Sequence, residues 1–144
     1  MIKEQSIKIF PTIDKLAGSF AAFLNQKIDE TPEDEFFSIA LSGGSTPKII
    51  YKYLSDNFKD KINWEKTKIF FGDERCVPPD DEDSNYRMAN ESLLKNIPIS
   101  KENIFRIKGE NDPVKEAKRY EEILKSNLTL INKIPQFDLI LLGL

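Results

Sequence analysis

Three short apolar segments, separated by stretches with helical spacing, place the strongest constraint on the fold of this chain. The segments are residues 36–41, 67–71 and 137–142. Each has the length and apolar character of a buried strand. Because strands that alternate with amphipathic helices form right-handed βαβ units, this order predicts an α/β fold with a mostly parallel sheet. Two further strands are expected at residues 6–10 and 103–107.

Polar residues before the periodic stretches predict where four helices begin. Thr12 and Ser84 are expected to be N-caps. Thr46-Pro47 and Asp112-Pro113 are each typical of an N-cap followed by proline at the first helical position. The last helix is expected to have one apolar face, made of Val114, Ala117, Tyr120, Leu124, Leu128 and Ile131.

The chain has the length of one domain, and we expect a single α/β domain over residues 1–144 that is incomplete. Its final segment, Asp138–Leu144, stops where a central strand should lead into a functional loop. An exposed apolar strand end promotes aggregation, and natural domains avoid it. We therefore expect a doubly wound sheet that is truncated at its C-terminal end.

Charge and cysteine content narrow the functional class. The chain has 21 Lys and Arg against 24 Asp and Glu, and this net charge of −3 disfavours nucleic acid as a partner. Cys76 is the single cysteine, so an internal disulfide is excluded and a reducing compartment is expected. No apolar run approaches the roughly 20 residues of a membrane span. Met1–Gln5 also lacks the apolar core of a signal peptide. We expect a cytoplasmic monomer without membrane contact.

The turn Ser42-Gly43-Gly44-Ser45-Thr46 directly follows the first central strand. Adjacent glycines allow positive φ, and backbone N–H groups at a helix N-terminus attract an anion. The hydroxyls can donate further hydrogen bonds, which together favour a phosphate site. The turn lacks the Gly-Lys-Ser/Thr of a Walker A loop and the three-glycine dinucleotide fingerprint. The alternative interpretation is a plain strand–helix turn with Thr46 as the helix cap.

The loop Asp73-Glu74-Arg75 follows the next strand, at the edge of the sheet where α/β proteins bind ligands. A carboxylate there can orient or deprotonate water or a sugar hydroxyl, and an arginine can hold a phosphate. A solvated loop of acids and arginine is the alternative. Cys76 has no histidine partner and is expected to be a small buried residue. The chain has no histidine at all, so proton transfer would fall to carboxylates or to residues outside it.

Three ordered motifs resemble the 6-phosphogluconolactonase family across essentially the whole chain. They are Ser42-Gly43-Gly44-Ser45-Thr46-Pro47, Asp73-Glu74-Arg75-Cys76-Val77-Pro78 and Asp83-Ser84-Asn85-Tyr86-Arg87. The related glucosamine-6-phosphate deaminases share the glycine-rich turn and an Asp-Glu pair. They typically have Tyr at the position of Arg75, and they lack the Val77-Pro78 and Ser84-Asn85 signature.

The resemblance implies a modified Rossmann-like sheet and hydrolysis of 6-phosphogluconolactone to 6-phosphogluconate, in the oxidative pentose phosphate pathway, without metal or cofactor. Ser42, Gly43, Gly44, Ser45, Thr46 and Arg75 would bind the phosphosugar lactone. Asp73 and Arg75 would be catalytic. The family's water-activating histidine follows the last strand and has no counterpart here, so the chain alone is expected to be nearly inactive. There are two alternatives. One is a deaminase-like enzyme, and the other is a non-catalytic phosphosugar-binding module if the chain is complete.

Overall fold

The computed structural model describes residues 6–143, where helices and strands alternate as the sequence predicts. Predictions for Met1–Gln5 and Leu144 lie outside the described residues. The elements in chain order are α1 (Ile13–Asp29), β1 (Phe37–Leu41), α2 (Ser45–Asn57), β2 (Thr67–Phe71), α3 (Asn85–Ser92), α4 (Pro113–Asn127), β3 (Thr129–Ile131), β4 (Ile134–Gln136) and β5 (Leu139–Ile140). Short 3₁₀ turns lie at Trp64–Lys66, Leu94–Asn96 and Lys101–Asn103. Within the described range, no helix is both long and apolar enough to cross a membrane.

The central sheet has the strand order β2-β1-β5, and both pairs are parallel. β1 and β2 run in register from the pair Phe37–Thr67 to the pair Leu41–Phe71. Asp138 fixes the start of β5, because its carboxylate accepts hydrogen bonds from Ser38 N–H at 2.7 Å and from Ser38 Oγ at 2.6 Å. The strand ends are therefore aligned, and the loops that leave them begin at one edge.

Helices cover both faces of this sheet, so the doubly wound α/β fold is confirmed. Side chains of a strand point alternately to opposite faces. Ile69 and Phe71 accordingly join the larger core cluster, to which α1, α2 and α3 contribute. Phe70 points the other way and packs with Tyr120 and Leu128, the former on α4. Its ring stacks on that of Phe105, with centroids 4.8 Å apart.

Three of the four predicted helix starts are confirmed. Thr12, Ser84 and Asp112 are N-caps whose side chains accept a hydrogen bond from the backbone N–H three residues on. The prediction for α2 is wrong, because this helix begins at Ser45 and its N-cap is Gly44. Gly44 has φ +109°, which only glycine adopts without strain. Pro47 therefore lies within the first turn, where a missing N–H costs nothing.

Three predicted strands are shorter than expected or absent. Residues 6–10 form no strand, and the side chains of Ile7 and Ile9 are exposed. The stretch 103–107 contributes a single parallel bridge, from Ile104 to Ile69. The last strand spans only Leu139–Ile140. Alternating or apolar composition makes a strand possible, but only a neighbouring strand with free N–H and C=O groups makes it form.

The sequence predicts that the last helix continues to Ile131, but a β-hairpin follows α4 instead. The helix ends at Asn127, and β3 and β4 pair as antiparallel strands. Asn132 and Lys133, which join them, both have positive φ, at 51° and 67°, as a type I′ turn requires. Lysine is rare at the second of these positions, so the turn is hard to predict from the residues that form it. Val114 and Ile131, predicted on the helix face, are exposed.

Glu116 of α4 holds the segment that precedes the helix. Its carboxylate accepts hydrogen bonds from the Arg119 guanidinium, from Lys108 N–H at 2.7 Å and from Asn111 Nδ2 at 3.0 Å. Glu116 itself is buried. The Arg119 hydrogen bonds, with help from those of Lys108 and Asn111, outweigh desolvation and lower the pKa of Glu116 from 4.5 to about 2. The hydrogen bonds from Lys108 and Asn111 to this buried carboxylate thus tie the loop 106–111 to α4.

This pKa shift predicts an acid-sensitive fold. A carboxyl whose pKa is lower in the folded state stabilises that state above the unfolded pKa and loses the contribution as the pH falls toward the folded value. For Glu116 the loss runs from pH 4.5 down to about 2, and it amounts to about 3 kcal/mol at most. Glu116→Gln should be less stable at neutral pH, and its free energy of unfolding should fall less steeply between these pH values.

Urea unfolding at several pH values, followed by the fluorescence of the single tryptophan, Trp64, measures this difference. Glu102→Gln is the matched control, because the Glu102 carboxylate forms no ion pair or hydrogen bond with any other residue in 6–143. Equal pH slopes for wild type and Glu116→Gln would contradict the prediction.

Candidate functional site

The glycine turn (residues 42–46) and the acid–arginine loop (residues 73–75) begin side by side at the carboxyl edge of the sheet. The turn leaves β1 after Leu41, and the loop leaves β2 after Phe71. Gly72 N–H donates a hydrogen bond of 2.9 Å to the Leu41 carbonyl, so the parallel ladder continues one step beyond the strands. Parallel sheets bind ligands at this edge, where loops from neighbouring strands face one crevice.

The N-terminus of α2 is open to an anion. Its N-cap is Gly44, which has no side chain to satisfy the first N–H groups of the helix, and no other side chain in residues 6–143 caps it. The first N–H groups of any helix lack partners within the helix, and the helix dipole gives this end a partial positive charge. The hydroxyl-bearing residues Ser45 and Thr46 are exposed in the same turn.

A buried tyrosine fixes the first residue of the turn. The Tyr51 hydroxyl of α2 accepts a hydrogen bond from Ser42 N–H at 3.0 Å and donates one to the Ser42 carbonyl at 2.7 Å. Burial raises the pKa of Tyr51 to about 12, so the phenol stays neutral and keeps both roles. The Ser42 hydroxyl is buried and forms no hydrogen bond within the described part of the chain. The hydroxyls open to solvent in this turn are therefore those of Ser45 and Thr46.

The two acids of the second loop have different environments. Glu74 is fully engaged: Oε1 accepts from Asn85 N–H at 2.7 Å and from Arg75 N–H at 2.8 Å. Its Oε2 accepts from Tyr86 N–H at 2.9 Å and from Ser84 Oγ at 3.0 Å. Glu74 therefore anchors the loop to the N-terminus of α3. Asp73 is exposed, and its carboxylate forms no hydrogen bond or ion pair among residues 6–143.

Arg75 differs from the other three arginines of the chain. Arg87, Arg106 and Arg119 each form an ion pair with a glutamate on the same stretch of chain. Arg75 is exposed, and its guanidinium has no carboxylate partner within the described range. An unpaired arginine at the sheet edge can therefore bind an anionic ligand without first breaking a protein ion pair.

Beside this loop lies a cavity of about 630 Å³ between the loop, α4 and the hairpin. Its walls include Asp73, Arg75 and Cys76, together with Tyr120 and Pro135. The volume is within the range of small-molecule sites. The glycine turn does not line this cavity, so the two predicted halves of the site share an edge of the sheet but not one enclosed space.

Cys76 is exposed, so the prediction that it is a small buried residue is wrong. Cys76 is the central residue of a tight turn, in which Val77 N–H donates to the Arg75 carbonyl at 2.8 Å. Gly109 packs closely beneath this turn: a Cβ at that position would lie 2.1 Å from the Arg75 carbonyl oxygen. The loop 106–111, which Glu116 holds, therefore packs against the loop that carries Arg75.

Sequence reasoning missed the residue that touches both loops. Asn85, the first residue of α3, is buried, and its Nδ2 donates a hydrogen bond of 3.3 Å to the Asp73 carbonyl. Its Oδ1 lies so close to Gly43 that a Cβ on that glycine would be 2.0 Å away. The sequence offered Asn85 only as part of a family signature. Nothing in the spacing of residues 43, 73 and 85 indicated a contact among them.

The fold and this edge define a Rossmann-like α/β protein whose polar loops lie at the strand ends. Residues 11–144 match the family described as glucosamine-6-phosphate isomerases/6-phosphogluconolactonase. A 6-phosphogluconolactonase of Haemophilus influenzae is 40% identical over 142 residues, covering 94% of this chain and 56% of that protein. One of Treponema pallidum is 36% identical over 129 residues, covering 89% and 54%. The solved 6-phosphogluconolactonase of Trypanosoma brucei superposes with a TM-score of 0.82 at 30% identity, covering 95% and 58%.

The chain belongs to the glucosamine-6-phosphate isomerase/6-phosphogluconolactonase family. It spans about half the length of the curated relatives it matches. The matched residues of this chain, 11–144, include both strand-end loops and the start of α3. The resemblance that the three motifs indicate is therefore confirmed at the level of the family.

The contrast between the two acids generates a stability prediction. Glu74→Gln replaces an oxygen that accepts two hydrogen bonds with a donor, and it removes the charge from a helix N-terminus. We expect it to lower the free energy of unfolding by about 2–3 kcal/mol. Asp73→Asn, one residue away and exposed, should stay within about 0.5 kcal/mol of wild type. Urea titration of both variants tests the pair, and equal losses would contradict the assignment of Glu74 as the anchor.

Proposed function

We propose that this chain carries the phosphosugar-binding part of a 6-phosphogluconolactonase site, which hydrolyses 6-phosphogluconolactone to 6-phosphogluconate. The observation that carries the proposal is the N-terminus of α2, which no side chain in residues 6–143 caps, beside a loop whose Arg75 has no carboxylate partner in the same range. A phosphate and a second polar group of one small ligand can be bound by this combination. The curated relatives that match the chain are 6-phosphogluconolactonases, which supports this substrate class.

In this proposal the glycine turn binds the phosphate. Backbone N–H groups of residues 43–46 donate to its oxygens, and the exposed hydroxyls of Ser45 and Thr46 add two donors. Ser42 contributes by fixing the start of the turn, since its hydroxyl is buried and Tyr51 bonds its backbone N–H and carbonyl. Arg75 supplies the formal positive charge. Asp73, whose carboxylate is free among the described residues, orients a sugar hydroxyl and the polar groups around it.

Lactone hydrolysis requires a water molecule to attack the carbonyl carbon, after which the ring C–O bond breaks and the ring oxygen takes a proton. The tetrahedral intermediate carries negative charge, so donors near the carbonyl oxygen stabilise the transition state. The water must also lose a proton, and the chain has no histidine to accept it. We propose that water activation depends on a residue outside these 144, while binding depends on residues within them.

Binding of the product tests the assignment of the turn. Gly44→Val should block the φ of +109° and the approach of a ligand to the backbone, and Arg75→Ala should remove a charge-assisted hydrogen bond. Each should weaken the affinity for 6-phosphogluconate by about 1–3 kcal/mol in calorimetric titrations. Gly143→Val is the matched control for the first, because a Cβ at Gly143 meets no atom of residues 6–143 within 4 Å. Lys118→Ala controls for the loss of an exposed charge. Unchanged affinity in both site variants would mean that the turn only connects β1 to α2 and does not bind the phosphate.

Reaction class is tested with the chain alone and with a chimaera in which it replaces the matched segment of the Haemophilus influenzae relative. The chimaera should open 6-phosphogluconolactone faster than the spontaneous rate and release no ammonia from glucosamine-6-phosphate. The chain alone should be slower by roughly 10²–10⁴-fold, the typical contribution of proton-transfer catalysis. Ammonia release without lactonase activity would assign the chain to the deaminase branch. Equal rates for chain and chimaera would make Asp73 the candidate base.

A further inference from the structure

Asn85 is the first residue of α3, and the helix does not need the Asn85 side chain for capping. Other residues already hold its backbone. Ser84 is the N-cap of α3, and its hydroxyl accepts the N–H of Arg87 at 3.1 Å. The Asn85 N–H is taken by Glu74 at 2.7 Å. Since capping is complete without it, the buried Asn85 amide must be explained by what it contacts outside the helix.

Those contacts are the two loops of the candidate site. Asn85 Nδ2 donates to the carbonyl of Asp73, in the acid–arginine loop. On its other side the amide lies against Gly43, in the glycine turn, where a Cβ would meet Oδ1 at 2.0 Å, Cγ at 2.6 Å and Nδ2 at 3.0 Å. The amide group therefore fills the space between the backbones of the two loops. A side chain at residue 43 would overlap the Asn85 amide.

We infer that Asn85 is a positioning residue that sets the distance between the phosphate-binding turn and the Asp73–Arg75 loop. The inference rests on the proposed function, since it assigns the separation of the loops to one substrate that both contact. Asn85 acts through the backbones of Gly43 and Asp73 and does not touch the substrate itself. A ligand held at two points loses affinity when these points shift, even if each keeps its own donors.

The test compares Asn85→Ala, Gly43→Ala and the double variant of the full chain, with Asn90→Ala as control. Asn90 lies on the same helix, and its side chain forms no hydrogen bond within residues 6–143. Affinity for 6-phosphogluconate is measured by calorimetry at a temperature where circular dichroism shows every variant folded. Asn85→Ala should bind about two- to tenfold more weakly than wild type, because the displaced loops should lose as much ligand contact as one hydrogen bond contributes, and Asn90→Ala should bind equally well. A merely structural role would lower the melting temperature and leave this affinity unchanged.

Thermal unfolding of the same variants tests the contact without any ligand. Gly43→Ala should melt below wild type, because its Cβ overlaps the Asn85 amide. The double variant should melt above Gly43→Ala, because the second change removes the group that the methyl overlaps. Two independent losses would instead add and place the double variant below both single variants. That order, or wild-type affinity in Asn85→Ala, overturns the inference.

The outcomes separate this inference from the proposed function. If wild type does not bind 6-phosphogluconate, the proposed function fails, and the melting order of the three variants still decides whether Asn85 separates the two loops. If Asn85→Ala does not fold, nuclear Overhauser effects in the wild-type chain decide the same point. Contacts between the Asn85 side-chain amide protons and the Gly43 α protons support the inference, and their absence overturns it.

Discussion

The organisation of the strand-end edge depends on one carboxylate, that of Glu74. It accepts two N–H groups from the first turn of α3, the hydroxyl of the N-cap Ser84 and one N–H of its own loop. A negative charge is stabilised at a helix N-terminus both by these hydrogen bonds and by the helix dipole. Through this group the loop after β2 and the helix after it behave as one unit. Asn85 then extends the unit to the turn after β1.

Two buried tyrosines perform a related role at the ends of the strands. Tyr51 bonds both backbone groups of Ser42, while Tyr120 accepts from Phe71 N–H at 2.9 Å and donates to the Phe105 carbonyl at 2.8 Å. Burial raises the pKa of both phenols, so each remains neutral and acts as donor and acceptor at once. The two tyrosines lie on opposite faces of the sheet, and each fixes the end of one strand. The loops beyond the strands therefore start from defined positions.

The charged residues of the edge divide into those that hold the structure and those that remain available. Glu74 and Glu116 each accept several hydrogen bonds and act within the protein. Asp73 and Arg75 project from the same loop without partners in the described chain. Because exposed charges are well solvated, leaving them unpaired costs the fold little. This is the condition under which a loop can keep its charges for a ligand, and it supports the proposed roles of Asp73 and Arg75.

Much of the architecture was predictable because it depends on short-range physics. Apolar runs and helical periodicity gave the order of α1, β1, α2, β2, α3 and α4, and local capping gave the starts at Thr12, Ser84 and Asp112. The sequence alone also determined the two loops that follow β1 and β2, since glycine, acids and arginine after an apolar run are visible in the chain. Family membership followed from the order of these motifs.

Only the tertiary structure decided what each of these residues does. Glu74 and Asp73 are adjacent acids in sequence, and the position of α3 makes one an anchor and leaves the other free. Gly44 rather than Thr46 is the N-cap of α2, because the turn needs a positive φ that no periodic pattern encodes. Gly43 is required by Asn85, which lies 42 positions further along the chain and beside it in space. Contacts of this kind arise from the packing of separate elements, whereas sequence patterns report only what neighbouring residues do to one another.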